Sequence, residues 1–144
     1  MSSSPSHEYA GDLGSAEAWE MMAQDPMAQL IDVRTIAEWN FVGLPDLSVL
    51  GRQVVCIEWQ QFPGGARNPD FVGEASQALA DKDAPVLLMC RSGARSRAAA
   101  IALTAAGYGQ AFNIGDGFEG DPDEEGHRGS RNGWKAANLP WRQG

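Results

Sequence analysis

The stretch Pro85–Gly107, PVLLMCRSGARSRAAAIALTAAG, limits the fold more than any other part of the chain. Four consecutive apolar residues follow a proline, too few for a helix and without the alternation of a half-buried strand. They predict a strand buried on both faces. An alanine-rich helical run starts within five residues of Cys90 and closes at Gly107. A strand covered on both faces and feeding straight into a helix is the repeating step of an α/β domain with a mainly parallel sheet.

The rest of the chain repeats that step. GSAEAWEMMAQD predicts a helix with Ser15 as its N-cap, and AQLIDVR a buried strand over Gln29–Val33. TIAEWNFVG predicts a short helix from Thr35, and RQVVCIEW a strand over Gln53–Ile57. The breaker-rich QQFPGGARNPD predicts a loop, followed by a helix with Pro69 near its start. YGQAFNI predicts the last strand, ending at Ile114. The fold class is therefore α/β, with a mainly parallel sheet of about five strands, four of them read above, and helices on both faces. Residues 1–8 are expected to form a flexible lead-in. Residues 9–144 form one domain, carrying a long glycine- and acid-rich loop over 115–133 and an anchoring Trp141 beyond it.

Charge and composition narrow the function. A net charge of −8 disfavours nucleic acid and anionic membrane as partners, but leaves room for a small anionic substrate in a locally basic pocket. No run reaches the roughly 18 apolar residues of a membrane span. The polar start MSSSPSHEYAG lacks the basic and apolar regions of a secretory signal, so a cytoplasmic location is expected. Two cysteines, Cys56 and Cys90, make no disulfide framework, and with only His7 and His127 as imidazoles no metal site is expected.

Cys90 stands at the carboxyl end of the buried strand, where parallel sheets place their sites. The helix that follows offers unpaired amides and a partial positive charge, a setting that favours a thiolate. Gly93 lets the loop curl so that its N–H groups converge. Arg91 and Arg95 add fixed positive charge suited to an anionic substrate. Arg97 is expected to be a solvated helix residue. Cys56, inside an apolar strand, is expected to be structural, although its strand end leaves it within reach of the pocket as a second thiol.

The segments LIDVRTIAEW, VLLMCRSGARSRAAAIALTAAGY and AFNIGDGFEG resemble the single-domain rhodaneses, a sulfurtransferase family. The resemblance runs from about residue 9 to the end. It implies a rhodanese-like fold and an enzyme that moves a sulfane sulfur from a donor such as thiosulfate to cyanide or a thiol. Cys90 would be the catalytic residue, carrying the sulfur as a persulfide, with no other cofactor. Arg91, Ser92, Gly93, Ala94 and Arg95 would form the loop that cradles the persulfide and holds the donor. Asp32, Arg34 and Glu38 match a second signature and read as structural support. A small anionic donor and a thiol or protein acceptor would be its partners. The family's usual GH-I-P-GA segment is replaced here by NFVGLPDL, which leaves the pocket walls open.

Two other readings remain. Cysteine-dependent phosphatases and arsenate-reductase-like enzymes on this fold use Cys-x5-Arg, whereas Cys90 to Arg95 is Cys-x4-Arg, a smaller cradle better sized for one sulfur than for a phosphoryl group. A non-catalytic or redox module that binds a partner is the other, with Cys56 as resolving thiol. Asp121, Asp123 and Glu125 sit at calcium-loop spacing, but Asn132 stands where a bidentate glutamate is needed, so a solvated acidic loop, with His127 and Arg128 pairing into it, is the better account. The five tryptophans read as core or cover residues, with Trp59 and Glu58 on the pocket side.

Overall fold

The computed structural model describes residues 8–79 and 81–143; His7 and nearly all of the expected lead-in over 1–8 lie outside them. Five strands, β1 (Gly11–Leu13), β2 (Gln29–Asp32), β4 (Val55–Cys56), β5 (Val86–Met89) and β6 (Ala111–Ile114), form one parallel sheet in the order β1-β6-β5-β2-β4. The four-residue apolar run thus becomes the central strand. Two further strands, β3 (Leu44–Pro45) and β7 (Trp141–Arg142), pair antiparallel in a small sheet of their own.

Side chains alternate along β5 and divide the core. Val86, Leu88 and Cys90 point to one face, where α3 (Phe71–Ala78) supplies Phe71 and Ala75 and α4 (Ala94–Ala105) supplies Ala99, Ala100 and Leu103. Leu87 and Met89 point to the other, packed by Ala18 and Met22 of α1 (Ser15–Gln24) and by Phe118 and Trp134 of the tail. Each fully buried leucine or isoleucine contributes roughly 1.5–3 kcal/mol. Small residues on α4 let that helix lie close to the sheet.

The helix starts differ in part from expectation. Gly14, not Ser15, is the N-cap of α1; the Glu17 carboxylate accepts the Gly14 N–H at 2.8 Å. Ser15 is buried, and its hydroxyl instead bonds Asp116 at 2.8 Å. The short helix α2 (Ile36–Phe41) starts at Thr35 as expected, with a reciprocal box between Thr35 and Glu38. The fully buried anchor of the tail is Trp134, whose indole N–H donates to Pro140; Trp141, 41% exposed, lays its ring edge-on against Phe118. Residues 134–138 form a turn in which the Ala137 N–H donates to the Gly133 carbonyl at 3.0 Å.

The 115–133 segment has no helix or strand and folds against the cysteine loop. The Phe118 N–H donates to the Cys90 carbonyl at 2.9 Å, and the Glu119 and Gly120 N–H groups to the Arg91 carbonyl at 3.1 Å each. Trp134 and Lys135 amides bind the carbonyls of Gly117 and Phe118 and fix this strap in turn. Gly117, at φ +68°, passes so close to the Arg91 carbonyl that a side chain would collide with it.

Candidate active site

Cys90 follows directly on β5 and three residues separate it from α4. Gly93 makes the turn at φ +109°, and a Cβ there would collide with the Gly115 carbonyl. Only glycine meets both demands. The strap holds the carbonyls of Cys90 and Arg91, so the loop is anchored through these oxygens. The Gly93 N–H donates to Cys90 Sγ at 3.1 Å, and Ser96 Oγ lies 3.3 Å from the same sulfur. Cys90 is 1% exposed.

The other residues of the loop divide between rim and frame. Arg91 and Ala94 are exposed and Ser92 is half-buried. Among the described residues the Arg91 guanidinium has no ion-pair partner. Arg95 turns toward α2 instead, where both its amino groups engage the Glu38 carboxylate at 2.7 and 3.0 Å. Asp32 and Arg34 form a fully buried pair, Nη2 to Oδ2 at 2.6 Å and Nε to Oδ1 at 2.9 Å. Arg34 also binds the Gly43 carbonyl at 2.7 Å and lies over the Phe118 ring at 4.3 Å, while its Nη1 is buried without a partner. This pair therefore joins the end of β2 to the β3 edge and to the strap.

Glu58 accepts from the Ile36 N–H at 2.8 Å and the Phe62 N–H at 3.3 Å, so it pins the start of α2 to the loop after β4. Trp59 is buried against Phe71 in the same cluster as Cys90, and Arg67 stacks on its outer face at 4.4 Å. Arg97 is exposed on α4, as expected. Asp123 caps its own turn, accepting the N–H groups of Glu125 and His127 at 2.9 Å. Arg128 binds the Gly120 carbonyl rather than an acid.

Cys56 departs from the structural role expected of it. It sits on the edge strand, exposed, in a groove lined by Leu44, Leu47, Arg52 and Arg142. The residue is exposed but its sulfur is partly desolvated in this groove, and that desolvation, with the neighbouring Asp32 carboxylate, pushes the thiol up to about 11. Asp32 pairs in register with Met89 on one side and Cys56 on the other, so Cys56 shares the Met89 face and Cys90 points to the opposite one.

The residue that sequence reading missed is Asn113. It is buried at the end of β6, its Oδ1 lies 2.5 Å from Ser96 Oγ, and its Nδ2 donates to Asp12 at 2.9 Å. A polar residue between apolar ones at the end of a buried strand was the available signal.

The family described as STR4 middle domain matches residues 11–144. An uncharacterized protein of Rickettsia conorii is 38% identical over 128 residues, 88% of this chain and 93% of its own. A sulfurtransferase of Allochromatium vinosum is 28% identical over 107 residues, covering 74% of this chain and 83% of that one. Among solved structures, Rv0390 from M. tuberculosis matches with a TM-score of 0.87 at 51% identity, over 94% of this chain and 99% of that one. A rhodanese-like domain protein from Staphylococcus aureus matches at 0.52 with 19% identity, over 72% and 83%; the architecture is the rhodanese-like fold.

Proposed function

The chain belongs to the STR4 middle-domain family, and from that premise we propose that it is a sulfurtransferase in which Cys90 carries a sulfane sulfur as a persulfide. The observation that carries this reading is the Gly93 N–H donated to Cys90 Sγ at 3.1 Å, at the start of α4. A backbone donor at a helix start favours negative charge on sulfur, both in the thiolate and in the persulfide.

The steps balance without an added oxidant. The Cys90 thiolate attacks the outer sulfur of thiosulfate, a new S–S bond forms, and the old one breaks as sulfite leaves with its electron pair. Cyanide or a thiolate then attacks the terminal sulfur and releases the Cys90 thiolate. Arg91, exposed on the rim, binds the donor's anionic end. Arg95, paired with Glu38, braces the loop from behind. The Ser92–Ala94 backbone cradles the terminal sulfur. No bound cofactor is needed, and the thiol or protein acceptor approaches from the Arg91 side.

The test incubates pure protein with thiosulfate, reads intact mass, then adds cyanide and measures thiocyanate. The expected result is one added sulfur, lost to cyanide and absent in Cys90→Ser. No added sulfur, or Cys90-dependent release of phosphate from p-nitrophenyl phosphate in its place, would overturn the proposal.

A further inference from the structure

Ser96 has a single hydroxyl hydrogen and three neighbours able to accept it: Cys90 Sγ at 3.3 Å, the Gly93 carbonyl at 3.3 Å and Asn113 Oδ1 at 2.5 Å. What lies behind Asn113 decides among them. Its Nδ2 donates to Asp12 at 2.9 Å, and Asp12 also accepts the Tyr9 hydroxyl at 3.0 Å. An ionised carboxylate only accepts, so Asp12 fixes the amide with its nitrogen outward and its oxygen toward Ser96. An amide oxygen also only accepts. The Ser96 hydrogen therefore points at Asn113, and the Ser96 lone pairs turn toward sulfur.

We propose that Asp12 and Asn113 hold the Ser96 hydrogen away from Cys90, which makes Ser96 an acceptor for the Cys90 thiol and a positioning residue that restrains ionisation of the sulfur. This rests on the reading of Cys90 as the reactive sulfur. For Ser96 to donate to a thiolate it must turn from Asn113, and the buried Asn113 oxygen is then left without a donor. Leaving that acceptor unpaired opposes the gain at sulfur. The Gly93 N–H stabilises the anion, and the Asp12–Asn113–Ser96 chain holds the thiol. A sulfur so balanced stays protected until a substrate or the incoming sulfur rearranges the hydroxyl.

The charged and titratable groups around Cys90 are Arg91 in its own loop, Arg95 and Arg97 on α4, Glu38 on α2, Asp32 and Arg34 at the end of β2, Asp12 on β1 and Tyr9 just before it. Arg95 with Glu38 and Arg34 with Asp32 are closed pairs. Asn113→Leu changes none of these charges, so its effect reads the hydroxyl alone.

The test follows iodoacetamide alkylation of Cys90 in the full chain against pH, with peptide mass separating it from Cys56, in about 0.5 M salt to screen the exposed Asp12. Asn113→Leu is expected to move the rise in rate about one pH unit lower, and Asp12→Ala to move it the same way by less. In a Ser96→Ala background both shifts disappear. Asp12 is exposed, so its variant keeps the fold if the core variant does not. An unmoved profile, a move to higher pH, or a shift that persists without Ser96 would overturn the proposal. The readout is the thiol itself. Failed sulfur loading with these shifts present would sink the proposed function alone, and loading without them would sink this inference alone.

Discussion

Arg95 on α4 grips Glu38 on α2 through two parallel contacts of 2.7 and 3.0 Å, and so ties the helix that follows the cysteine loop to the segment after β2. Glu38 also accepts the Thr35 N–H at 3.2 Å. One carboxylate thus starts α2 and braces α4.

This pair sets an acid sensitivity. Burial pushes the Glu38 carboxyl up, but hydrogen bonds and charge from Arg95, with the Thr35 amide, outweigh it and hold the group below its usual value. A lowered folded value means the stabilisation is present above the ordinary carboxylate range and is lost as pH falls through the lowered one. Glu38→Gln is expected to lower stability at pH 7 by about 1 kcal/mol. It should also show a smaller further loss at acid pH than the wild type. Urea midpoints at neutral and acid pH measure both, and equal acid losses in the two chains would contradict the assignment.

Asp32 and Arg34 make a costlier joint. Both are fully buried, and one guanidinium nitrogen already lacks a partner. Asp32→Asn leaves the Arg34 charge in the core with a neutral neighbour, and should cost about 3–5 kcal/mol. Urea unfolding gives the number; a loss below about 1 kcal/mol would mean that the pair is not the joint between β2, the Gly43 turn and the strap.

What the sequence disclosed and what it concealed follow from range. The β5 run, the α4 alanines and the Thr35 start are local signals, and each folds as its own residues dictate. Cys90 and its loop were legible because a strand end, a glycine and a helix start lie within a few residues. Strand β1 was not legible: Gly11–Leu13 has little propensity and exists because β6 offers it an edge. The pairing of Leu44–Pro45 with Trp141–Arg142 spans nearly the whole chain. The partners of Arg95 and Ser96 were hidden for the same reason, since Glu38 and Asn113 reach them only through the fold.

Gly93 is the position where one methyl group tests the cradle. At φ +109° a side chain is strained, and the Gly115 carbonyl occupies the space that a Cβ needs. Gly93→Ala is expected to cost roughly 2–4 kcal/mol, or to displace the loop and take the N–H away from Cys90 Sγ. In either case sulfur loading falls by an order of magnitude or more. Stability from urea unfolding and persulfide yield from intact mass are read on the same preparation. An alanine variant that keeps both would show that the loop does not need the conformation seen here.

Cys56 is expected to be a bystander, and three features argue it together. Its thiol is pushed up to about 11, by desolvation of the sulfur in the groove and then by the Asp32 carboxylate, so at pH 7–8 it is neutral and a poor nucleophile. Strand β2 lies between it and β5, which places the two backbones about 10 Å apart, beyond the roughly 7 Å limit for a disulfide. Its side chain shares the Met89 face, opposite to that of Cys90. Cys56→Ser should therefore load sulfur from thiosulfate and release it to cyanide as the wild type does. Alkylation of Cys56 in the wild type should keep rising with pH toward 11. Mild oxidation followed by non-reducing digestion should yield no Cys56–Cys90 peptide. Such a peptide, together with lost turnover in Cys56→Ser, would make the pair a redox couple and require β2 to move out of the way.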